Sequence, residues 1–355
     1  MRSLAARLTA AFGDPVTDPD EETFLLYARP MPSQDLGFVD PRAASLEVPV
    51  RGREYTIHQS PSVLASSRAG GTTGAVLWRV TPLFASWLAT PNTEGTRNHI
   101  LSLLRRPRPS VVELGCGISP LCALALRPLV SSYLLTDQPY VQRLVTKNLA
   151  ANPPPASHPS SSHKIPSSKR IRGGVAAAAT DQQQQHGHVR FQPLDWETDQ
   201  VTADLASPHG DSFDAVVACD CVFNYALIAP FVQTCADVCA LRRTSSSSSS
   251  HSYSQPSSSR NDGHGGSGQQ DQHHQPRRAD DDDDDDDAGD EDGDPCLCIV
   301  AQQLRNDDVF LEWLRAFSDR FNVWRVPEDV LPEGLRPGDG FVVHVGVLKD
   351  HEQRL

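Results

Sequence analysis

Four carboxylates stand where apolar runs give way to turns: Glu113, Asp137, Asp195 and Asp220. The ends of successive strands are where an open α/β sheet gathers a ligand. Glu113 lies in Val111-Val-Glu-Leu-Gly-Cys-Gly-Ile-Ser-Pro120, two residues before the first glycine. An acid there repels a pyrophosphate and attracts a cationic group. Gly115 and Gly117, around Cys116, let the backbone approach a ligand closely. The third position of a dinucleotide fingerprint is Pro120, so that motif is broken. Ser119 reads as a helix N-cap and Pro120 as the first helical residue. Asp137 follows at about the ~20-residue distance of an acid that binds a ribose diol. Asp195-Trp196 pairs an acceptor for a base amino group with a ring that can stack on it. Ala218 and Cys219 are small enough for a ligand to lie against their strand. Asp220 and Phe223 then offer a carboxylate and an aromatic wall three residues apart. Trp78, upstream, can roof such a pocket. Each residue also has a plainer use: Asp137 and Asp220 as helix caps, Trp196 as a half-exposed turn residue, Trp78 as core.

These residues need a scaffold that brings strand ends together. Apolar strand-type runs occur at 111–114, 133–136, 189–194, 213–218, 297–301, 321–326 and 341–348. Helical patterns fall between them, at 119–126, 139–148, 227–241 and 307–317. This alternation predicts an α/β sheet with helices on both faces. The last two strands are joined by a Pro/Gly-rich loop without a useful helix, so they should be antiparallel. Upstream, 46–57 alternates around Arg51-Gly-Arg53 and reads as a β-hairpin outside the main sheet, and 80–88 reads as an amphipathic helix.

Residues 1–44 read as an N-terminal arm, either loose or lying as extra cover on the domain, and 45–350 as the main domain. Two low-complexity inserts, 153–188 and 243–294, interrupt that domain and are expected to be disordered. The chain carries a net charge of −13, and the second insert alone holds 14 acids against 4 arginines, leaving the fold nearly neutral. No surface basic enough for nucleic acid stands out. The eight cysteines fall mostly in apolar patterns, which fits a reducing compartment and no metal site; the C-x-C pairs Cys219/Cys221 and Cys296/Cys298 lack the usual zinc spacing. No secretory signal and no apolar run near ~20 residues is present, so a cytoplasmic protein, also admitted to the nucleus, is expected, with no membrane association.

The strings G-A-V-L-W (74–78), V-E-L-G-C-G (112–117), T-D (136–137), L-D-W (194–196) and D-C-V-F (220–223) come in an order that resembles the lysine-directed branch, family 16, of the seven-strand S-adenosylmethionine-dependent methyltransferases. A-Q-Q-L-R (301–305) and F-V-V-H-V-G-V (341–347) resemble its fungal members that act on ribosomal proteins. The resemblance implies a Rossmann-like sheet of seven strands, the last antiparallel. It implies S-adenosyl-L-methionine as cofactor, held by Trp78, Glu113, Gly115, Cys116, Gly117, Asp137, Asp195, Trp196, Ala218 and Cys219. Asp220 and Phe223 would line a lysine channel, with Phe223 where many relatives have Tyr. The substrate implied is a lysine of a large-subunit ribosomal protein, and the enzyme a monomer. Two other readings stay open: a methyltransferase for another protein or small molecule, and an inactive cofactor-binding module.

Overall fold

The computed structural model describes residues 2–30, 32, 37–68, 71–90, 100–155, 187–249 and 293–350. In chain order these form helices α1 (Leu4–Phe12) and α2 (Pro19–Tyr27), hairpin strands β1 (Ser45–Val50) and β2 (Arg53–His58), a short α3 (Pro61–Leu64) and α4 (Val80–Leu88). Then follow β3 (Ser110–Leu114), α5 (Leu121–Leu126), β4 (Ser132–Asp137), α6 (Gln142–Ala151), β5 (His188–Pro193) and β6 (Ala215–Cys219). The chain closes with α7 (Ile228–Ser249), β7 (Leu297–Gln303), α8 (Asp307–Arg320), β8 (Phe321–Arg325) and β9 (Phe341–Leu348).

Seven strands make one sheet in the order β5-β4-β3-β6-β7-β9-β8. Neighbours from β5 to β7 are parallel, and β9 runs antiparallel to both β7 and β8. Every residue of β3, β6, β7 and β9 is buried, as strands covered on both faces require. One face packs against α4, α5 and α6, and the other against α7 and α8. The strand order reverses between β3 and β6, which opens a crevice beyond the carboxyl ends of the sheet.

The hairpin is as expected, with Arg51 and Gly52 both at positive φ (51° and 75°) in its two-residue turn. Asn148 of α6 ties it to the site: its Oδ1 accepts from His58 N at 2.8 Å, and its Nδ2 donates to His58 O and Ile118 O.

Of the two readings of the first 44 residues, the described ones take the part of cover on the domain. α1 buries Leu4 and Leu8, and α2 buries Leu26 against the other face of the sheet. Between them, Val16 N donates to Val323 O at 2.7 Å, so this segment covers the edge strand β8. The sequence hides this because α2, PDEETFLLY, has almost no apolar periodicity; its anchor is polar. Glu22 is buried, with Oε1 3.0 Å from His344 Nε2 and Oε2 3.1 Å from Arg325 Nη1. Burial alone would raise its pKa, but His344 and Arg325 outweigh that, and the net shift is below the usual 4.5. A depressed carboxyl contributes stability that is present above its unfolded pKa and is lost as pH falls through the lower folded value. Glu22→Gln should therefore cost about 1–3 kcal/mol at neutral pH and flatten the loss of stability below pH ~4.5, read by urea unfolding across pH. An unchanged acid limb would show that other carboxylates dominate it.

The expected helix 227–241 extends to Ser249, and Arg243 donates to Leu348 O and Lys349 O, so the second insert does not begin at 243. At its other end Asp294 is buried in an ion-pair cluster. The inserts themselves, 156–186 and 250–292, lie outside the described residues. Cys296, just before β7, and Cys298 of β7 lie in the same core as Cys235 and Cys239 of α7. Among the described residues no group of three His, Cys, Asp or Glu side chains is placed to hold a metal ion, and no helix is long and apolar enough to cross a membrane.

Candidate active site

A recess of about 320 Å³ opens at the carboxyl ends of β3, β4, β5 and β6. Its wall includes Trp78, Glu113, Gly115, Cys116, Gly117, Asp137, Asp195, Trp196, Cys219, Asp220 and Phe223. Eleven of the twelve residues singled out in the sequence thus meet in one place.

The turn after β3 is held by β4: Gly115 N and Cys116 N both donate to Thr136 O at 3.0 Å. Gly115 has φ +71°, and a Cβ there would lie 2.7 Å from Cys221 Sγ and 3.0 Å from Trp196 Cζ2. Gly117 has φ +55° and touches Gly74, whose carbonyl accepts from Ile118 N at 2.9 Å. Thus 74–78 forms the facing wall. The helix that follows starts one residue later than expected. Pro120 is the N-cap, and the Ser119 hydroxyl accepts weakly from Leu121 N at 3.4 Å. With six residues, α5 is too short for its end to dominate the local field.

Asp137 accepts from Gly117 N at 2.8 Å through Oδ2 and from Gln138 N at 2.7 Å through Oδ1. Each oxygen keeps a lone pair for a ligand hydroxyl. Burial pushes its pKa up to about 6, against the lowering by the two backbone donors, and the Asp195 charge adds to the rise. Asp195 accepts from Glu197 N at 3.0 Å. Trp196 packs on Phe231, with ring centroids 5.1 Å apart, and its buried indole N–H has no hydrogen-bond partner among the described residues. A buried donor without a partner is costly, so this one is suited to a ligand acceptor.

Glu113 departs from its expected part. It touches the recess, but it is 1% exposed and accepts from the Tyr133 hydroxyl at 2.8 Å. Burial, the largest cause, pushes its pKa up to about 8, with the Asp137 charge adding and the Tyr133 bond opposing. At neutral pH it is mostly a neutral acid and not a standing negative charge. Ala218 does not line the recess. Side chains alternate along a strand, so Cys219 faces the α4 side and the recess while Ala218 is buried toward α7 and α8.

Asp220 lines the recess as expected, and its carboxylate has partners that the sequence does not reveal. It has φ +60°, a left-handed conformation that Asp tolerates better than most residues. Its carboxylate is gripped by Arg305, with Nη1–Oδ1 2.7 Å and Nη2–Oδ2 2.5 Å, and Oδ1 also accepts from Gln303 N at 3.2 Å. The side chain of Asp220 is 1% exposed and that of Arg305 19%. Both carboxylate oxygens are thus already engaged by protein donors. Arg305 also lies 5.0 Å over the Trp78 ring, whose other neighbour is Phe38 at 4.6 Å. Gly37 closes the cluster from the N-terminal segment: a Cβ there would overlap Gln303 Oε1 and come within 2.9 Å of Arg305 Nη2. Phe223 stands at the mouth, 41% exposed.

Sequence reading missed Arg305, Gly37 and Tyr140, whose hydroxyl lies where a Cβ on Gly74 would be. The string A-Q-Q-L-R held the signal for Arg305, because a cation two residues past β7 is at the same sheet edge as an acid just past β6.

No protein-family model matches the chain. Among curated proteins it is 29% identical over 236 residues to ribosomal lysine N-methyltransferase 5 of Saccharomyces cerevisiae, covering 54% of this chain and 64% of the relative. It is 30% identical over 198 residues to the protein of the same name in Zygosaccharomyces rouxii, covering 51% and 58%. It is also 26% identical over 224 residues to the diaminohydroxyphosphoribosylamino-pyrimidine deaminase of Schizosaccharomyces pombe, covering 63% of this chain and 44% of that one. The chain therefore spans from under half to just under two thirds of the length of these relatives. Among solved structures, an arsenic(III) S-adenosylmethionine methyltransferase from Chlamydomonas reinhardtii is 11% identical, with a TM-score of 0.30, over 68% of this chain and 64% of that one. A likeness that loose carries no argument about activity. In sequence, the chain is similar to methyltransferases.

Proposed function

We propose that this chain is an S-adenosyl-L-methionine-dependent protein-lysine N-methyltransferase whose substrate is a large-subunit ribosomal protein. The observation that carries the reading is the convergence of the Gly115–Gly117 turn, Asp137, Trp196 and the Asp220–Arg305 pair on one recess. The name of the yeast relatives supports the lysine and the ribosomal substrate.

The residues fit the cofactor. Side chains at 115 and 117 would fill the recess, Asp137 has lone pairs for a diol, and the Trp196 N–H lacks a partner among the described residues. When bound, S-adenosylmethionine supplies an electrophilic methyl group on a sulfonium. The chain then has to deliver an amine that is neutral and aimed. A free lysine is neutral in only about one molecule in a few thousand at pH 7. An unpaired carboxylate beside it would make this worse by holding the ammonium. Here Arg305 neutralises Asp220, and Phe223 and Trp78 offer apolar surface. The donor end of the recess therefore disfavours the charged amine and favours the nucleophilic one. Asp220 acts as a rigid wall that positions, while the proton leaves to solvent at the open mouth.

Glu113 makes cofactor binding pH-dependent. With a pKa of about 8 before binding, it holds its proton at pH 7. A cation nearby lowers that pKa, so binding should release up to ~1 proton, and affinity should rise with pH until the pKa of the free protein is passed. Calorimetry at pH 7 in two buffers of different ionisation enthalpy reads the proton directly. Equal heats in both buffers, or release unaltered in Glu113→Gln, would remove Glu113 from this role.

The deaminase reading finds no residues. Zinc-dependent base deamination uses H-x-E and C-x-x-C ligands, and the chain contains neither string. The proposal is tested by incubating the protein with methyl-labelled S-adenosylmethionine and separated ribosomal proteins, then mapping the labelled residue by mass. One labelled large-subunit protein, modified on lysine, is expected. Label in another protein would overturn the substrate, and cofactor binding without any transfer would make the chain an inactive module.

A further inference from the structure

At the end of the sheet away from the recess, four guanidinium groups surround two carboxylates. Asp214, just before β6, accepts from Ser110 N at 2.7 Å and pairs with Arg242 Nη1 at 2.9 Å and Arg106 Nη1 at 3.5 Å. Asp294, just before β7, accepts from Arg105 N at 2.6 Å and pairs with Arg7 Nη2 at 2.6 Å and Arg105 Nε at 3.5 Å. The acids are nearly buried, with side chains 4% and 8% exposed, and their oxygens are turned inward to backbone donors. The arginines face out: Arg105 is 32% and Arg106 54% exposed. Arg105, Arg106 and Arg242 line a recess of about 240 Å³ together with Asp214, Asp294, Gly293 and Pro295.

Among the described residues, three arginines and two carboxylates line this recess, which leaves one positive charge in excess. A purely structural network would need no such surplus, since each buried acid is already satisfied by backbone N–H and one tight guanidinium. The surplus sits on the exposed members, whose N–H forks suit a planar or tetrahedral oxyanion. We propose that this recess is a second binding site, which takes phosphate groups and is independent of the methyltransferase reading. A metal cation is repelled by the net charge. A lone carboxylate uses one face of a fork, whereas a phosphate has oxygens enough for more than one of the lining arginines.

Phosphate can come free, as polyphosphate, or in a nucleic-acid backbone, and two probes separate these sources. The full chain is titrated calorimetrically at low salt with inorganic tripolyphosphate and with a single-stranded oligoribonucleotide. Saturable binding is expected, weakened at least 10-fold by the double variant Arg105→Gln with Arg106→Gln and by raising salt to several hundred millimolar. Lys147→Gln, the same charge change on the exposed side of α6, should leave it unaltered. Tighter binding of the oligoribonucleotide, lost by the same factor, assigns the site to a nucleic-acid backbone; binding of tripolyphosphate alone assigns it to free polyphosphate. If the double variant does not fold, Arg106→Gln alone, which gives up only the 3.5 Å contact to Asp214, should still weaken binding about 3-fold or more. No saturable binding of either probe, or equal binding by the folded variants, would leave a structural ion-pair network and overturn the proposal.

Discussion

Arg305→Ala is expected to destabilise the protein by about 3–5 kcal/mol and to cut methyl transfer by about two orders of magnitude or more. The stability loss follows from Asp220, whose carboxylate is 1% exposed and would remain as an uncompensated buried charge. The activity loss follows from the same event, because an Asp220 freed from the guanidinium becomes an anion that holds the incoming amine as ammonium. The companion variant separates the two effects. Asp220→Asn keeps a residue that tolerates φ +60° and leaves a cation that is partly exposed, so it should cost less stability. If Asp220 only positions, Asp220→Asn retains much of the turnover. If it accepts the proton, Asn is as damaging as Ala. Urea unfolding reads the first quantity and label transfer to the substrate lysine the second, with cofactor affinity measured separately by calorimetry. Wild-type turnover in a folded Arg305→Ala protein would dismiss the pair from the mechanism.

Gly115→Arg is expected to abolish the rise in melting temperature that S-adenosylhomocysteine gives the wild type. Ligand binding to the native state raises stability by mass action, so an occupied recess is visible as a thermal shift. At this position even a Cβ lies 2.7 Å from Cys221 Sγ and 3.0 Å from Trp196, and the backbone stands at φ +71°. Gly115→Ala should therefore already weaken binding, while Arg fills the approach to the turn. Because the clash is with the wall of the recess, the unliganded domain should lose only a few kcal/mol. A full ligand shift in Gly115→Arg would place the cofactor elsewhere.

The sheet was legible because β3, β4, β6, β7 and β9 are apolar runs separated by helical periods or turn-rich loops. Position along the chain then put Gly115, Asp137, Trp196 and Asp220 at strand ends, and the structure joins them. What failed was anything set by pairs. Glu113 looks like a free charge until Tyr133, on the neighbouring strand, is seen to share its proton with it. Asp220 looks like an unpaired carboxylate until Arg305, 85 residues on, is seen to clamp it. α2 looks loose because a polar trio, Glu22, His344 and Arg325, does what an apolar stripe does in other helices. The basic end was hidden for the same reason. Arg7, Arg105, Arg106 and Arg242 are dispersed in sequence and masked by the acid-rich 250–292 in any total of charge.

The two chain segments of low complexity are bounded by described residues that sit at one end of the molecule. α6 ends at Ala151 and β5 begins at His188; α7 ends at Ser249 and β7 begins at Leu297. In a parallel sheet, each helix returns the chain to the starting edge of the next strand, the edge opposite the ligand crevice. Anything grafted between 156 and 186 or between 250 and 292 therefore starts from the side of the sheet away from the recess. A fluorophore or an affinity handle introduced there is attached to the chain at the edge of the sheet opposite the recess.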